Sequence, residues 1–242
     1  MTIRKRERVL KLADTVAQRK FLHIRDAAAL LDVSEMTVRR DVGENPDLFG
    51  YVGGHIVQAA DVEGESTYEL AKAADSHATA KREACAAAAA MIRPEDTIFI
   101  DCGTTLDHLV DFIPDTLPVT AICYALNIAE KLSRKPEIRL VMLGGVYHPA
   151  SASFSGPAGM ATLRSLGINV AFLSAAGVDF ERGATCMHFH EAEIKRQVLA
   201  QAKKRVLVFD SSKIGKLKPA FFGELSRFDV LVTEAGPMSV PS

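Results

Sequence analysis

Residues that could bind an anionic ligand follow an apolar, strand-like segment in the second half of the chain, Thr97–Ile100. The segment Asp101-Cys102-Gly103-Thr104-Thr105 comes next, where open α/β sheets place their ligands. Gly103 lets the backbone approach a ligand closely, and the N–H groups of such a turn, with two hydroxyls, can cradle a phosphate. Asp101 could accept a hydrogen bond from a sugar hydroxyl. The alternative is a strand-to-helix turn capped by a threonine.

Other polar residues follow further predicted strands and could converge on the same phosphate. Gly144-Gly145 ends one strand, Lys195 lies near the start of a helix, and Lys213 follows another strand. The carboxyl ends of parallel strands meet at one edge of a sheet, which would bring these residues together. Each lysine taken alone could instead be a solvated surface residue, and Glu191 could form an intrahelical pair with Lys195.

Tyr124 and Asn127 come just after one more predicted strand. They could line the sugar end of the site, but each could equally cap the helix that starts at Asn127. The candidate ligand-binding residues are therefore Asp101, Gly103, Thr104, Thr105, Tyr124, Asn127, Gly145, Lys195 and Lys213.

Histidines and cysteines offer metal ligands, but not in a metal-binding pattern. His188 and His190 lie beside Glu191 and Glu193, yet this cluster matches no recognised zinc or iron motif, so we expect no metal site. The cysteines lack CxxC spacing, so neither a disulfide framework nor a zinc site is predicted, and small buried thiols are the simpler interpretation. These are Cys85, Cys102, Cys123 and Cys186. We expect no cofactor.

A second group of candidate residues lies on a short predicted helix near the N-terminus. Ser34 is a good N-cap residue, and Val38 and Val42, one turn apart, form the buried side. The opposite face carries Met36 and Arg39-Arg40. Such a face fits the major groove of DNA, although a solvated helix surface would be the simpler interpretation for an isolated pair of arginines.

The individual residues of this helix suit different contacts with DNA. Arg39 or Arg40 can donate a bidentate pair to guanine, Glu35 could accept from cytosine, and Met36 could touch a thymine methyl. Ser34 and Thr37 at the helix start are suited to a phosphate, which positions the helix without reading sequence. Basic residues nearer the N-terminus could add salt-dependent attraction, namely Arg4, Lys5, Arg6, Arg8 and Lys11.

The elements around this helix are those that a DNA-reading helix needs. Apolar residues recur at helical spacing between Arg4 and Val16, with Ala13 in that stripe, and again from His23 to Val33, with Leu30 in that stripe. Residues 51–57 have the glycine-centred, β-branched character of a small hairpin. Three helices and a hairpin predict a winged helix-turn-helix, which favours DNA binding over the solvated surface.

Apolar strand candidates alternate with helices in the rest of the chain. We predict helices over 81–91, 127–132 and 191–203, and strands over 97–100, 119–123, 138–143, 170–174, 205–209 and 229–232. This alternation predicts an α/β fold with a mainly parallel sheet covered by helices. We expect a winged helix-turn-helix domain over 1–58, a polar, alanine-rich linker over 59–79 and the α/β domain over 80–242.

The composition is compatible with this division. Of the 242 residues, 48% are hydrophobic and 24% are charged, which is enough apolar material for a sizeable core and more than one domain. A net charge of -1 gives no global argument for nucleic-acid binding, so any basic surface must be local. No apolar run approaches the roughly 20 residues of a spanning helix, and no signal-peptide pattern follows the N-terminus, so we expect a cytoplasmic protein without membrane contact.

The segment from Asp26 to Asp41, DAAALLDVSEMTVRRD, resembles the signature of the DeoR family of bacterial repressors. The resemblance continues through Asp101–Thr105, Gly144-Gly145, Ala175–Asp179 and Asp210–Lys213, and so covers nearly the whole chain. Segments 99–105, 123–124 and 183–186 are most similar to the branch of the family that controls deoxyribonucleoside catabolism. The predicted hairpin is shorter and less basic than the family's usual wing.

The resemblance implies a repressor of sugar or deoxyribonucleoside catabolism, with a sensor domain related in fold to ribose-5-phosphate isomerase. It also implies that Lys195 and Lys213 contact the effector, a phosphorylated pentose such as deoxyribose 5-phosphate. The expected partners are this effector and double-stranded operator DNA. Because helix-turn-helix proteins commonly read half-sites as dimers, we also expect a homo-oligomer.

The competing hypothesis is a sugar-phosphate isomerase with an appended DNA-binding domain, because a shared fold does not settle function. Aldose-ketose isomerisation needs a placed base and acid, and the related isomerases carry aspartates in the segment that matches Ser174-Ala175-Ala176-Gly177 here. This chain has small residues instead, and a single carboxylate at Asp179 is more typical of a turn. A sensor without enzymatic activity is therefore favoured.

Overall fold

The computed structural model describes residues 3–19, 21–45, 48–52, 55–58 and 77–239. These residues separate into two units, one within Met1–Glu69 and the other within Leu70–Ser242. Most of the range predicted as a linker, together with Gly53-Gly54 of the predicted hairpin, lies outside the described residues. The side chains of Arg4 and Arg6 also lie outside them.

The described residues of the N-terminal unit form three helices and a three-stranded sheet. The helices are α1 (Ile3–Arg19), α2 (Ile24–Leu31) and α3 (Glu35–Gly43), and the strands are β1 (Phe21–His23), β2 (Phe49–Val52) and β3 (His55–Gln58). The sheet has the order β1-β3-β2 with antiparallel pairs. The predicted helices and hairpin are confirmed, whereas β1 is too short to produce a period-2 pattern in the sequence.

One apolar core holds these helices and strands together. Its buried members are Val9, Leu12, Val16, Leu22, Ile24, Ala27, Ala28, Val38, Val42, Phe49 and Ile56. Most residues at helical spacing in α1 are buried as predicted, and Ala13 is half-buried. Leu30, expected in the buried stripe of α2, is exposed, and Ala28 is buried instead. Because an α-helix has about 3.6 residues per turn, Ala28 lies on the same face as Ile24 four residues earlier, whereas Leu30 lies away from that face.

A large sheet forms the centre of the C-terminal unit. Its strands are β4 (Thr97–Ile100), β5 (Val119–Cys123), β6 (Ile138–Met142), β9 (Val170–Ser174), β12 (Lys204–Val208), β14 (Val230–Thr233) and β15 (Gly236–Met238). The order is β15-β14-β12-β9-β4-β5-β6, and every pair is parallel except β14 with β15. The predicted mainly parallel sheet is confirmed, and the predicted strand positions agree to within about a residue.

Short strands complete this unit. They are β7 (Val146–His148), β8 (Ser153–Ser155), β10 (Gly177–Asp179), β11 (Gly183–Cys186) and β13 (Ala220–Gly223). Strands β7 and β8 form a hairpin, and the others form an antiparallel sheet in the order β10-β11-β13. The sequence does not predict them, because segments of three or four residues carry no reliable periodicity.

The described residues of this unit form four α-helices, which are α4 (Ala78–Ala89), α5 (Leu126–Leu132), α6 (Pro157–Arg164) and α7 (Phe189–Gln201). Helix α4 begins at Ala78, inside the range that the sequence assigns to the linker, and packs against β12, β14 and β15. Helix α6 is not predicted. In the described part of the chain, no helix has both the length and the apolar character needed to cross a membrane.

The order of strands changes direction between β4 and β9. From β4 the chain continues to β5 and β6 on one side, and later strands β9, β12 and β14 lie on the other side of β4. In open α/β sheets, this reversal leaves a crevice outside the carboxyl ends of the two strands, where ligands bind. The segments that follow β4 and β9 begin with Asp101 and Ala175.

Candidate functional site

The first candidate surface is the outward face of α3. Ser34 caps the helix, because its Oγ accepts from the Thr37 N–H at 3.2 Å and lies 3.0 Å from Thr37 Oγ1. Val38 and Val42 are buried against the rest of the unit, while Met36 on the opposite side is 74% exposed. The helix therefore turns one apolar stripe inward and leaves the other face open.

Charged side chains share this open face. Arg39 and Arg40 are both exposed. Glu35 lies on the first turn, with its carboxylate 3.7 Å from Arg25 Nε. The structure thus brings Glu35, Met36, Arg39 and Arg40 onto the accessible side of one helix, with the hydroxyls of Ser34 and Thr37 at its start. This arrangement can enter a groove and donate hydrogen bonds there.

An ion pair to a buried carboxylate fixes α3 against α1. Arg8 Nε donates to Asp41 Oδ2 at 2.5 Å, and Asp41 is buried on the inner side of α3. Lys5 pairs with Glu44, and Lys11 Nζ donates to the Leu30 carbonyl at 3.2 Å. These three basic residues, considered above as sources of attraction to DNA, therefore contact the protein itself. The sequence pattern does not reveal the Arg8–Asp41 pair, because its partners lie on different helices.

Asp101, directly after β4, is the centre of a hydrogen-bond network in the C-terminal unit. Its side chain is 0% exposed. Oδ1 accepts from the Tyr124 hydroxyl at 2.6 Å, and Oδ2 accepts from Ser174 N at 2.8 Å and Ser174 Oγ at 3.0 Å. Lys195 Nζ forms an ion pair with the same Oδ2. Protein donors therefore occupy both oxygens and tie together the ends of β4, β5 and β9.

Lys195 is a buried member of this network. It is 1% exposed and also donates to the Ser174 carbonyl at 3.1 Å. Burial by itself would lower the pKa of Lys195, but the adjacent Asp101 carboxylate outweighs it and the pKa is raised. Lys195 thus stays charged and pairs with Asp101, not with Glu191. Burial, followed by the Asp101 charge, likewise raises the pKa of Tyr124 well above its usual value.

The turn after Asp101 has the backbone that an anion cradle needs. Gly103 adopts a φ of +100°, a conformation that residues with a side chain rarely reach. Thr104 is half-buried, and Thr105 is buried. Thr104 Oγ1 accepts from Lys81 Nζ at 3.1 Å. The turn therefore combines backbone freedom, hydroxyls and a nearby cation.

Lys81 is a residue that the sequence analysis missed. It lies in the first turn of α4 and is 1% exposed. Lys81, Ala84, Cys85 and Ala88 form the buried stripe of this helix at three- and four-residue spacing. A lysine within an otherwise small, apolar stripe is the signal that could have identified it, since buried lysines need a specific partner.

Lys213 lies on the same edge of the sheet as Gly103. It ends the short 3₁₀ turn Ser211–Lys213 that follows β12, and its Nζ is 3.8 Å from Oδ2 of the buried Asp210. Strand β9 alone separates β12 from β4. The structure therefore brings Gly103, Ser174 and Lys213 to three adjacent strand ends.

Asn127 and Gly145 are held by other contacts. Asn127 Nδ2 donates to Asp107 Oδ1 at 2.9 Å, which links α5 to the 3₁₀ turn after Thr105. A Cβ at Gly145 would lie 2.2 Å from the Ser155 carbonyl oxygen, so packing of the β7–β8 hairpin accounts for the glycine. Neither residue hydrogen-bonds to the Asp101 network within the described ranges.

The cysteines are free and buried. Burial raises the pKa of Cys123 and of Cys186 to about 12, and it raises that of Cys102 well above its usual value. Because the thiolate is the nucleophile, these thiols are unreactive near neutral pH. The interpretation as small buried residues is confirmed.

Histidines cluster between the β7–β8 hairpin and the start of α7. The ring centroids of His148 and His190 are 3.7 Å apart, and those of His188 and His190 are 5.3 Å apart, with both pairs stacked. Burial and the two neighbouring imidazoles lower the pKa of His190 to about 4. A group of three or more side chains suited to a metal ion is absent from the described residues.

Asp179 caps the turn between β10 and β11. Its Oδ1 accepts from Glu181 N at 3.0 Å and from Arg182 N at 2.9 Å. These are the bonds of a turn residue, as predicted, and they occupy the carboxylate that an isomerase mechanism would have to use as a base.

Comparison with known proteins covers both units. Residues 8–44 match a family model described as a DeoR-like helix-turn-helix domain, and residues 76–235 match one described as a DeoR C-terminal sensor domain. The deoxyribose operon repressor of Escherichia coli is 39% identical over 237 residues, which span 98% of this chain and 93% of that protein.

Solved structures are more distant. The tetrameric eIF2B-beta2-delta2 complex from C. thermophilum has a TM-score of 0.50 at 14% identity, over 96% of this chain and 68% of that chain. Ribose 5-phosphate isomerase A from Neisseria gonorrhoeae has a TM-score of 0.41 at 19% identity, over 55% of this chain and 52% of that chain. Likeness at this level concerns the fold alone.

Proposed function

This chain belongs to the DeoR family of transcriptional repressors, and we propose that it represses a deoxyribose-catabolic operon and releases its operator when deoxyribose 5-phosphate binds. The deoxyribose operon repressor that it resembles is named for repression, the chain itself matches a DeoR-like helix-turn-helix domain, and the chain is a repressor and not an enzyme. Its C-terminal domain is the sensor for a phosphorylated sugar. Operator DNA is in the bacterial cytoplasm, where the proposal also places this protein.

The observation that carries the proposal is similarity to a deoxyribose operon repressor along both units of the chain. A regulator that shared only the DNA-binding unit would share the mode of DNA recognition but not the effector. Here the similarity includes the strand ends around Asp101 and Gly103, where the sheet order reverses. This location and its hydroxyl and amine groups suit a small phosphorylated ligand.

For DNA, we assign base reading to the exposed face of α3 and positioning to its start. Arg39 and Arg40 are long donors suited to guanine, while Met36 and Glu35 suit a thymine methyl and a cytosine amine. Ser34 and Thr37, with the backbone N–H groups of the first turn, contact phosphate. A homo-oligomer would present two such helices to the half-sites of a double-stranded operator.

For the effector, we assign the phosphate to the turn Gly103-Thr104-Thr105. Lys81 lies beside this turn, and Lys213 lies across β9, so both supply positive charge near the bound anion. We assign Asp101, Tyr124 and Lys195 the role of holding this turn in place, because their polar groups bond to one another. Asn127 and Gly145 contribute by fixing the neighbouring loops.

Effector binding relieves repression only if it favours one arrangement of the protein over another. The effector must therefore bind more tightly to the arrangement with low operator affinity, and operator and effector then weaken each other's binding by the same factor. This reciprocity gives the proposal a measurable consequence.

The test is a titration of operator DNA with the full chain, using the region upstream of its own gene. We expect deoxyribose 5-phosphate to weaken binding at least about fivefold, the lower end of typical allosteric coupling, and ribose 5-phosphate to act less strongly. Deoxyribose without phosphate is the control and should have no effect. If neither phosphorylated pentose changes the affinity, the proposed effector is wrong.

A further inference from the structure

A buried carboxylate stands beside the Asp101 network without taking part in it. Glu191 lies in the first turn of α7 and is 6% exposed. Within the part of the chain that the structure describes, no hydrogen bond or ion pair engages its side chain. Its exposed neighbour Glu193, on the same helix, is in contrast open to water.

The lysine that could have neutralised Glu191 is already paired with another carboxylate. Lys195, one turn further along α7, gives its ammonium to Asp101 and to the Ser174 carbonyl. A carboxylate accepts hydrogen bonds and donates none, so Glu191 needs donors that the surrounding protein does not supply. Although the residue is only 6% exposed, its carboxylate oxygens keep some contact with solvent, so a hydroxyl group of a ligand can reach them.

Helix geometry places Glu191 on the Asp101 side of α7, because Lys195, four residues further on, shares its face and contacts Asp101. After burial itself, the Glu191 charge is the largest cause of the raised pKa of Cys102. It also contributes to the raised pKa values of Tyr124 and Lys195, after burial and nearer charges. Cys102 immediately precedes Gly103, so this influence agrees with a position of Glu191 on the side of α7 that faces the turn to which we assign the phosphate.

We propose that Glu191 accepts a hydrogen bond from a hydroxyl group of the effector, an inference that rests on the proposed sugar-phosphate site. The carboxylate then selects for a neutral, hydroxyl-bearing sugar attached to the phosphate. It selects against a phosphorylated sugar acid, because a second carboxylate would be placed beside it without a donor. Inorganic phosphate bound at the Gly103 turn gains nothing from Glu191, because it has no sugar hydroxyl to place against the carboxylate.

The experiment compares ligands and variants by calorimetric titration of the full chain. The ligands are deoxyribose 5-phosphate, 1,2-dideoxyribose 5-phosphate, a phosphorylated pentonic acid and inorganic phosphate. The variants are Glu191→Ala and Glu191→Gln, with Glu193→Ala as the matched control on the same helix. Thermal unfolding of each variant establishes that it is folded.

We expect Glu191→Ala to weaken deoxyribose 5-phosphate binding about tenfold or more, as for a hydrogen bond to a charged group, and to leave inorganic phosphate unchanged or tighter. Glu191→Gln removes the charge but keeps an acceptor, so it should lose less and should gain affinity for the sugar acid. Glu193→Ala should match the wild type. If Glu191→Ala does not fold, the Glu191→Gln comparison between sugar and sugar acid decides the question.

For Glu191→Ala, the inference is overturned by unchanged deoxyribose 5-phosphate binding, or by an equal loss for the sugar phosphate and inorganic phosphate. An unchanged preference between sugar and sugar acid in Glu191→Gln would also overturn it. A wild-type protein that binds no phosphorylated sugar would instead show that the proposed function is wrong. The failures of the two proposals are therefore distinguishable.

Discussion

The outward face of α3 and the Asp101 network prepare for their ligands in opposite ways. On α3, Met36, Arg39 and Arg40 are exposed, and the helix beneath them is held by buried valines and the Arg8–Asp41 pair. Around Asp101, the polar side chains are themselves buried and bonded to one another. The proposed DNA-binding site displays its polar groups on a buried support, whereas the proposed effector site builds the support itself from polar groups.

The difference follows from the size of the ligand. A DNA groove admits a whole helix, so the reading side chains can stay in water until they bind. A small ligand must be enclosed, and the groups around it lose water when the protein folds. Substitutions on α3 should therefore change binding without changing stability, while substitutions in the Asp101 network should change stability first.

The largest effect should come from removing the buried cation. Lys195→Ala leaves the Asp101 carboxylate buried without its ion-pair partner, and we expect it to cost about 3 to 5 kcal/mol in the free energy of unfolding. Urea denaturation followed by circular dichroism measures this loss. The double variant Asp101→Asn with Lys195→Met removes both charges and should recover part of it. A loss below about 1 kcal/mol for Lys195→Ala would mean that the network does not support the fold.

A smaller effect, on binding alone, is expected on α3. Arg40→Ala should weaken operator binding by about 1 to 3 kcal/mol and relax the preference for operator over random DNA, with the urea midpoint unchanged. The control is Arg134→Ala, which removes another exposed arginine that pairs with Glu130 one turn away. It should alter neither quantity measurably. An equal loss on operator and random DNA would make Arg40 a phosphate contact and not a reader of bases.

His190 is half-buried, so its exposure lies between that of the α3 face and that of the Asp101 network. Its folded pKa of about 4 is below the ordinary value of about 6.5, so folding favours the neutral ring. The stabilisation is fully present above about pH 6.5 and is lost as the pH falls from there towards 4. After allowance for solvent screening, we expect about 1 kcal/mol.

The measurement is the free energy of unfolding at about pH 7.5 and at about pH 5 for the wild type and for His190→Gln. The variant should lose less stability between the two values. If both proteins lose the same free energy of unfolding, the stacked imidazoles make no contribution to the pH dependence. Burial would then not affect stability in this cluster as it does in the Asp101 network.

Much of the fold was accessible from the sequence, because its long elements have clear periodicity. Strands such as Thr97–Ile100 and Val170–Ser174 are continuous apolar runs, as expected where helices cover both faces of a parallel sheet. The short strands β1, β7 and β10 carry no such signal, and their pairing depends on segments far away in the chain. Helix α6 begins at Pro157 after Gly156, and a Gly-Pro pair is typical of a turn in the sequence.

The candidate site could be predicted from the sequence only in part. Strand-end position identified Asp101, Gly103 and Lys213, because each directly follows or lies near the end of a buried strand. Lys81 was missed, since it lies in a helix more than twenty residues before the turn that it contacts. The pairing of Lys195 with Asp101 was missed for the same reason, since the expected partner four residues away was closer in sequence.

By itself, the sequence predicted a helix-turn-helix unit and an α/β unit, the exposed face of α3 and the turn at Gly103. Each of these is encoded locally, by helical spacing, by a cap residue or by a glycine after a strand. Only the tertiary structure decided which polar groups are satisfied within the protein and which are left for a ligand. That decision depends on contacts between distant segments, which pair Lys195 with Asp101 and leave the largely buried Glu191 without a protein partner among the described residues.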